Sequence, residues 1–209
     1  MLHKRAVLVG YSGHALVVGD TALSLGLDLC FYTDKKENKT NSFKLKYIGF
    51  EGDKNYNYWK EDYNYILGIG DNKIREKTAQ ILIDNKQRIL TIQDASSEIS
   101  KYARIGEGCF IARQVSINAF AHIKDYCILN TGCIIEHECH IQKAAHIGPG
   151  AVLAGNVNIG QQTFVGANAV IKQGVKIGDN VTVGAGAVVV EDIPYHTIVV
   201  GNPARPINK

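Results

Sequence analysis

The sequence predicts two domains of different class, a small Rossmann-like α/β module followed by a parallel β-helix. The fold class is therefore α/β + β. The first observation is an aliphatic residue at every sixth position from Ile99 to Val189, without interruption. The second is an alternation of short apolar runs with amphipathic stretches before position 95, which is typical of βαβ units.

The six-residue period accounts for residues 96–194. Its aliphatic members are Ile99, Ile105, Ile111, Ile117, Ile123, Leu129, Ile135, Ile141, Ile147, Leu153, Ile159, Val165, Ile171, Ile177, Val183 and Val189. Because six is even, all of them point to one side of an extended chain, whereas six steps along a helix reach the opposite face. A strict hexapeptide period is typical of a parallel β-helix. Three hexads per coil would stack residues eighteen apart at about 4.8 Å.

The pattern of apolar runs in the first 95 residues predicts a separate module. Its expected elements are strands over 5–9, 27–32, 45–48, 64–69 and 89–92 and helices over 16–26 and 73–85. Parallel strands joined by helices bring their loops to the carboxyl edge of the sheet, where ligands bind. The tail, residues 195–209, is punctuated by prolines and is expected to cap the open end of the β-helix.

Composition excludes several classes of protein. The 209 residues are 45% hydrophobic and 21% charged, and a net charge of +3 is too small to indicate binding to nucleic acid or membranes. No apolar run approaches the roughly 18 residues that span a bilayer. The segment 1–5 leads directly into a strand rather than into a secretory leader, so we expect a cytoplasmic protein.

A cluster of cysteine and histidine residues has the spacing of zinc ligands: Cys133, His137, Cys139 and His140. On the hexad, however, the cysteines occupy the small inward position, whereas the histidines fall where side chains face outward. Ligands on opposite sides of a coil wall cannot converge on one tetrahedral ion. We therefore expect core cysteines and no metal.

His137 is the strongest candidate for a catalytic residue. It falls at a turn between Glu136 and Glu138, and Gly155 follows eighteen residues later, one coil along. A histidine base, a neighbouring carboxylate and an approachable backbone N–H are the groups that acyl transfer needs.

The sequence resembles a known family in five segments. These are Gly10–His14, Gly68–Arg75, Ile128–Thr131, Ile134–Glu138 and Val200–Ala204. They are similar to the nucleotide-sugar N-acetyltransferases with hexapeptide repeats, especially those that acetylate the C4 amine of UDP-linked 4-amino-4,6-dideoxy sugars, and to the related sialic acid O-acetyltransferases. The resemblance implies a left-handed β-helix, acetyl-CoA as cosubstrate and assembly as a homotrimer.

The resemblance also implies roles for individual residues. His137 corresponds to the general base and Glu138 to the carboxylate that assists it. The positions that correspond to coenzyme contacts are His146, Gly155 and Ala167, with the N–H of Gly155 at the acetyl carbonyl. The positions that correspond to contacts with the nucleotide sugar are Ser12, Gly13, His14, Asp34, Lys35 and Asn130.

Alternatives stay open at this point. The same base would serve O-acetylation of a sugar such as sialic acid. A carbonic anhydrase of the γ class would need three outward histidines that converge on zinc across a subunit interface, and His122, His140 and His146 have suitable spacing. Uridine and thymidine are both possible bases of the substrate, and its stereochemistry and pathway are undetermined.

Overall fold

A computed structural model describes residues 5–207 of the chain, and residues 1–4, where the sequence predicts no leader, lie outside this range. The chain divides into two compact units, Met1–Ile92 and Gln93–Lys209. No helix among residues 5–207 is long and apolar enough to cross a membrane.

The first unit contains a parallel sheet and two α-helices. Its elements are β1 (Ala6–Val9), α1 (Gly13–Ser24), β2 (Leu29–Thr33), β3 (Lys46–Tyr47), a 3-10 helix (Tyr58–Lys60), β4 (Asn64–Leu67), α2 (Asn72–Asp84) and β5 (Arg88–Ile89). The strand order is β3-β2-β1-β4-β5, and every pairing is parallel. The helices that follow β1 and β4 begin beside each other, because these strands are neighbours at the point where the strand order reverses.

Local sequence explains the main elements of this unit. All four residues of β1 are buried, which is typical of a strand covered on both faces. Gly19 of α1 lies so close to Phe43 that an added Cβ would meet its ring at 2.7 Å. The second helix begins at Asp71, whose carboxylate accepts a hydrogen bond from Ile74 N at 2.8 Å as an N-cap.

The second unit is the predicted parallel β-helix. Its strands are β6 (Ile92–Gln93), β7 (Glu98–Ile99), β8 (Arg104–Ile105), β9 (Phe110–Ile111), β10 (Ser116–Ile117), β11 (His122–Ile123), β12 (Ile128–Leu129), β13 (Ile134–Ile135), β14 (His140–Ile141), β15 (His146–Ile147), β16 (Val152–Leu153), β17 (Asn158–Ile159), β18 (Phe164–Val165), β19 (Val170–Ile171), β20 (Lys176–Ile177), β21 (Thr182–Val183), β22 (Val188–Val189), β23 (Ile198–Val200) and β24 (Arg205–Pro206).

These strands form three sheets, the faces of the β-helix. Face 1 contains β6, β9, β12, β15, β18, β21, β23 and β24; face 2 contains β7, β10, β13, β16, β19 and β22; face 3 contains β8, β11, β14, β17 and β20. From β6 to β22, neighbouring strands of a face are eighteen residues apart, as Ile117 pairs with Ile135 and Ile135 with Leu153. The predicted period of three hexads per coil is confirmed.

The hexad also predicts the core. Every aliphatic member from Ile111 to Val189 is buried, whereas Ile99 and Ile105, in the first coil, are half-buried. The predicted inward cysteines, Cys109, Cys127, Cys133 and Cys139, are buried as well. In the tail, β23 continues face 1 and β24 pairs with it antiparallel.

The edge between face 2 and face 3 positions the candidate site, and we call it the His137 corner. Its turn residues are 101–102, 119–120, 137–138, 155–156 and 173–174. The second residue of several turns has a left-handed backbone, with φ of 61° at Phe120, 60° at Glu138 and 57° at Asn156. Glycine and asparagine adopt this conformation most readily.

Candidate active site

The imidazole of His137 is held by the carboxylate that follows it. Nδ1 of His137 lies 3.0 Å from Oε2 of Glu138, and the side chains are 52% and 61% exposed. An ionised carboxylate only accepts hydrogen bonds, so this contact places the proton of a neutral imidazole on Nδ1. The lone pair is then on Nε2, where a base needs it.

Nε2 of His137 faces the next coil at Gly155. A Cβ added to this glycine would lie 2.5 Å from Cε1 and 2.6 Å from Nε2 of His137. The coils are joined here by a hydrogen bond from Asn156 N to His137 O, at 2.8 Å. The lack of a side chain at position 155 therefore leaves the imidazole and the backbone of the next coil in direct contact.

The second glutamate beside His137 has a different partner. Oε2 of Glu136 accepts a hydrogen bond from Asn118 Nδ2, one coil earlier on face 2, at 3.0 Å. Of the two flanking carboxylates, Glu138 is thus the one that contacts the imidazole.

A second group of candidate residues lies on face 1. Nδ2 of Asn130 is 3.2 Å from Nε2 of His146, and the ring of Phe164 packs edge-on against the same imidazole at 5.0 Å. His146 is 9% exposed, although its hexad position predicts an outward side chain. Phe164 explains the difference, because it lies directly over His146 in the next coil.

Ala167 lies at the turn after β18, on the edge between face 1 and face 2. The predicted coenzyme positions are therefore distributed over the β-helix of one chain. Gly155 lies at the His137 corner and His146 lies on face 1. Ala167 lies at the edge between face 1 and face 2.

Of the predicted nucleotide-sugar residues, all except Asn130 lie at the carboxyl edge of the first sheet. Ser12 and Gly13 are exposed at the start of α1, and an added Cβ at Gly13 would meet nothing within 4 Å. His14 is largely buried, and this burial, with the nearby Arg75 guanidinium, lowers the pKa of its imidazole to about 4. The imidazole is thus neutral at physiological pH.

Asp34 and Lys35 follow β2 at the same edge. The Asp34 carboxylate accepts hydrogen bonds from Tyr11 N at 3.0 Å and from Lys35 N at 2.7 Å. It therefore ties the loop after β1 to the loop after β2, while Lys35 is exposed.

Arg75 has a position that the sequence did not predict, although it lies in one of the motifs. It is 1% exposed, and its guanidinium donates hydrogen bonds to the carbonyl oxygens of Ile69 at 3.2 Å and Gly70 at 3.0 Å and to Asn72 Oδ1 at 2.9 Å. The buried guanidinium therefore holds the loop between β4 and the start of α2. The sequence feature that could have indicated this position is a charged residue on the inward face of α2.

Comparison with known proteins identifies both units. Residues 5–82 match the family described as the PglD N-terminal domain, and residues 156–191 match the hexapeptide repeat of succinyl-transferase. The whole chain is similar to a histidine variant of perosamine N-acetyltransferase from Caulobacter crescentus, solved with CoA and GDP-perosamine, at 30% identity and a TM-score of 0.91. The match covers 98% of this chain and 97% of that one.

A second similar structure is the acetyltransferase domain of PglB from Neisseria gonorrhoeae FA1090 in complex with acetyl coenzyme A. It is 29% identical, with a TM-score of 0.91, and the match covers 98% of this chain and 100% of that domain. The chain belongs to the PglD-like sugar N-acetyltransferases with hexapeptide repeats.

Membership of these N-acetyltransferases confirms the family and the enzyme class that the sequence predicts. Among residues 5–207, no three histidine, cysteine, aspartate or glutamate side chains are grouped so as to hold a metal ion. The three histidines of the carbonic anhydrase alternative do not meet within the chain. His122 and His140 stack on face 3 with their rings 5.1 Å apart, whereas His146 is buried on face 1.

Proposed function

We propose that this chain transfers the acetyl group of acetyl-CoA to the C4 amine of a nucleotide-linked 4-amino-4,6-dideoxy sugar, with His137 as general base. The observation that carries the proposal is the geometry at the His137 corner. Glu138 holds Nδ1 of the imidazole, and Nε2 lies against the bare backbone of Gly155.

The reaction follows from this arrangement without a covalent enzyme intermediate. Nε2 of His137 accepts a proton from the sugar amine as its nitrogen attacks the thioester carbonyl. The N–H of Gly155 donates to the oxygen of the tetrahedral intermediate, since it makes no hydrogen bond within residues 5–207. The C–S bond then breaks, and the leaving thiolate takes the proton from His137.

The first unit is proposed to bind the nucleotide part of the acceptor. The starts of α1 and α2 and the buried Arg75 meet at the switch point of the sheet, a usual position for a nucleotide diphosphate. The similar perosamine enzyme was solved with a GDP-linked sugar. Guanosine therefore joins uridine and thymidine as a base to be tested.

A homotrimer is the assembly that we propose. Face 2 carries an outward column of apolar residues, Ile134, Val152, Val170 and Val188, of which Ile134 and Val170 are 36% and 39% exposed. A continuous apolar column indicates an interaction surface. In addition, a coenzyme that contacts both the His137 corner and His146 of face 1 has to lie between two chains. We expect a trimeric mass by light scattering, and a monomer would contradict this proposal.

The activity is tested with UDP-, dTDP- and GDP-linked 4-amino-4,6-dideoxy sugars and acetyl-CoA, by thiol release and by mass spectrometry of the sugar. We expect acetylation of the amine by the wild-type protein. His137→Ala should lower kcat by about 10²–10⁴-fold, the usual contribution of a general base. Its melting temperature should stay the same because the side chain is half exposed.

Two results would contradict the proposed function. One is that no amino sugar of the panel is acetylated, or that the matching sugars with a hydroxyl at C4 are acetylated instead. The other is that His137→Ala keeps the wild-type rate.

A further inference from the structure

Two solvent-exposed aromatic rings stack against each other at the His137 corner. Tyr102 and Phe120 have ring centroids 5.4 Å apart and an interplanar angle of 26°. They are 54% and 56% exposed, more than any other aromatic residue described except Tyr195. They occupy the same turn position in consecutive coils, and Glu138 holds this position in the next coil. The two rings and Glu138 therefore form one column.

Packing of the β-helix does not explain Phe120. Its backbone is left-handed, with φ of 61°, and this conformation is less favourable for phenylalanine than for the asparagine and glycine at positions 156 and 174 of the same column. Tyr126 has a similar backbone, but it is 4% exposed and its ring contacts Lys143. Packing therefore accounts for the ring of Tyr126 but not for the exposed ring of Phe120.

The column that contains Tyr102 and Phe120 precedes His137 along the β-helix, whereas Gly155 follows it. Gly155 is one coil beyond His137, and an acetyl carbonyl that receives its N–H has to lie there. On the other side is the coil of Phe120, joined to the His137 coil by the hydrogen bond from Glu138 N to Ala119 O at 3.1 Å. With the acyl donor on the Gly155 side, the side of the His137 corner toward Phe120 is left for the sugar whose amine reaches Nε2.

The chemistry of the acceptor fits an aromatic surface. In a 4,6-dideoxy sugar the methyl group C6 is attached to C5, next to the carbon that carries the amine. The electron-rich face of an aromatic ring attracts C–H groups and buries apolar surface well. Lys101 Nζ lies 5.0 Å from the Tyr102 ring centroid, which adds a cation–π contact to the outer ring of the stack.

We infer that Tyr102 and Phe120 form an aromatic platform for the acceptor sugar, with the methyl-bearing C5–C6 edge against Phe120 and the C4 amine directed to His137. The platform would select for 6-deoxy sugars. A hydroxyl group at C6 would lose its hydrogen bonds to water when it is packed against the Phe120 ring, and the ring offers no hydrogen-bond partner in exchange. This inference rests on the proposed function.

The test is the variant Phe120→Asn. Asparagine suits the left-handed backbone, as Asn156 does at the same turn position, so the β-helix should fold normally. We expect the KM for the sugar to rise roughly three- to tenfold, as for the loss of one aromatic contact, with an unchanged KM for acetyl-CoA. The preference for a 6-deoxy sugar over its 6-hydroxy counterpart should fall, and Phe120→Tyr should restore both values.

Tyr195→Ala is the matched control, because Tyr195 is an exposed aromatic residue in the same unit, 66% accessible, away from the His137 corner. Unchanged sugar kinetics in Phe120→Asn would overturn the platform while leaving the acetyltransferase activity intact. A smaller oligomer by light scattering would overturn it too, since Phe120 would then contact a second chain. If the wild-type protein acetylates no sugar of the panel, both the function and the platform fail.

Discussion

The two units hold their loops in different ways. In the first unit, single side chains do so: the Asp34 carboxylate binds Tyr11 N, and the Arg75 guanidinium binds the carbonyls of Ile69 and Gly70. In the β-helix, most turns are joined to the next by a backbone hydrogen bond of the same kind, as from Glu138 N to Ala119 O. A turn of the β-helix at the His137 corner therefore depends less on its side chains than a loop of the first unit does.

After the loss of His137 itself, the largest expected effect is on activity, at a turn of the β-helix. In Gly155→Ala, the new Cβ would lie 2.5 Å from Cε1 of His137, so the imidazole has to move away from its position beside the N–H of residue 155. We expect kcat to fall by about 10²-fold or more, as for the displacement of a general base, with little change in the melting temperature.

Gly174→Asn is the control for this variant. Position 174 is one coil further on at the same corner, it has a left-handed φ of 76°, and an added Cβ would meet nothing within 4 Å. It should retain the wild-type rate. Equal losses in both variants would mean that any change at this corner disturbs activity, and the specific role of Gly155 would be wrong.

The next effect is on the stability of the first unit. Arg75→Met removes a buried guanidinium and leaves the carbonyls of Ile69 and Gly70 without these donors, which should lower the free energy of unfolding of this unit by about 3 kcal/mol. Trp59 is the single tryptophan of the sequence and lies in the first unit, so its fluorescence follows the unfolding of that unit.

Lys77→Met is the control, because Lys77 is an exposed cation on the same helix and its loss should leave the Trp59 transition nearly unchanged. An Arg75→Met protein with the wild-type transition would show that the loop after β4 does not depend on this side chain.

This contrast also explains which features could be predicted from the sequence. In the β-helix, residues eighteen apart in the sequence lie next to each other in neighbouring coils. The position of Gly155 beside His137 therefore follows from the sequence spacing alone. The burial of His146 does not, because it depends on how the Phe164 ring is oriented over the imidazole. The contact of Asp34 with Tyr11 joins two aperiodic loops that are distant in the sequence, and the contacts of Arg75 depend on the exact path of the loop before α2, which no repeat records.

A smaller effect is expected at Glu51, a buried carboxylate of the first unit that is 5% exposed. Burial raises the pKa of this carboxyl group. The folded state therefore binds the proton more tightly than the unfolded state. The stability from this group is present below the unfolded pKa and is lost as the pH rises through the folded pKa.

Glu51→Gln imitates the protonated carboxyl group. We expect the variant to stabilise the first unit at neutral pH and to reduce the loss of stability as the pH rises above the ordinary range of a glutamate, both measured by Trp59 fluorescence. Glu61→Gln, at an exposed position, is the matched control. A destabilised Glu51→Gln protein would mean that the charged form has a partner that compensates its burial.

The smallest effect is expected from Glu138→Gln, again at a turn of the β-helix. The contact between Oε2 of Glu138 and Nδ1 of His137 is exposed to water on both sides, and exposed ion pairs contribute less than about 1 kcal/mol. The amide oxygen of glutamine can still accept the Nδ1 hydrogen, so orientation is kept and only the charge is lost. We therefore expect kcat to fall by about two- to fivefold, less at high salt, and Glu138→Ala to lose more than Glu138→Gln. Steady-state kinetics of the two variants at low and high ionic strength measures these losses. Equal losses in Glu138→Gln and Glu138→Ala would show that Glu138 contributes its charge and not the orientation of the imidazole.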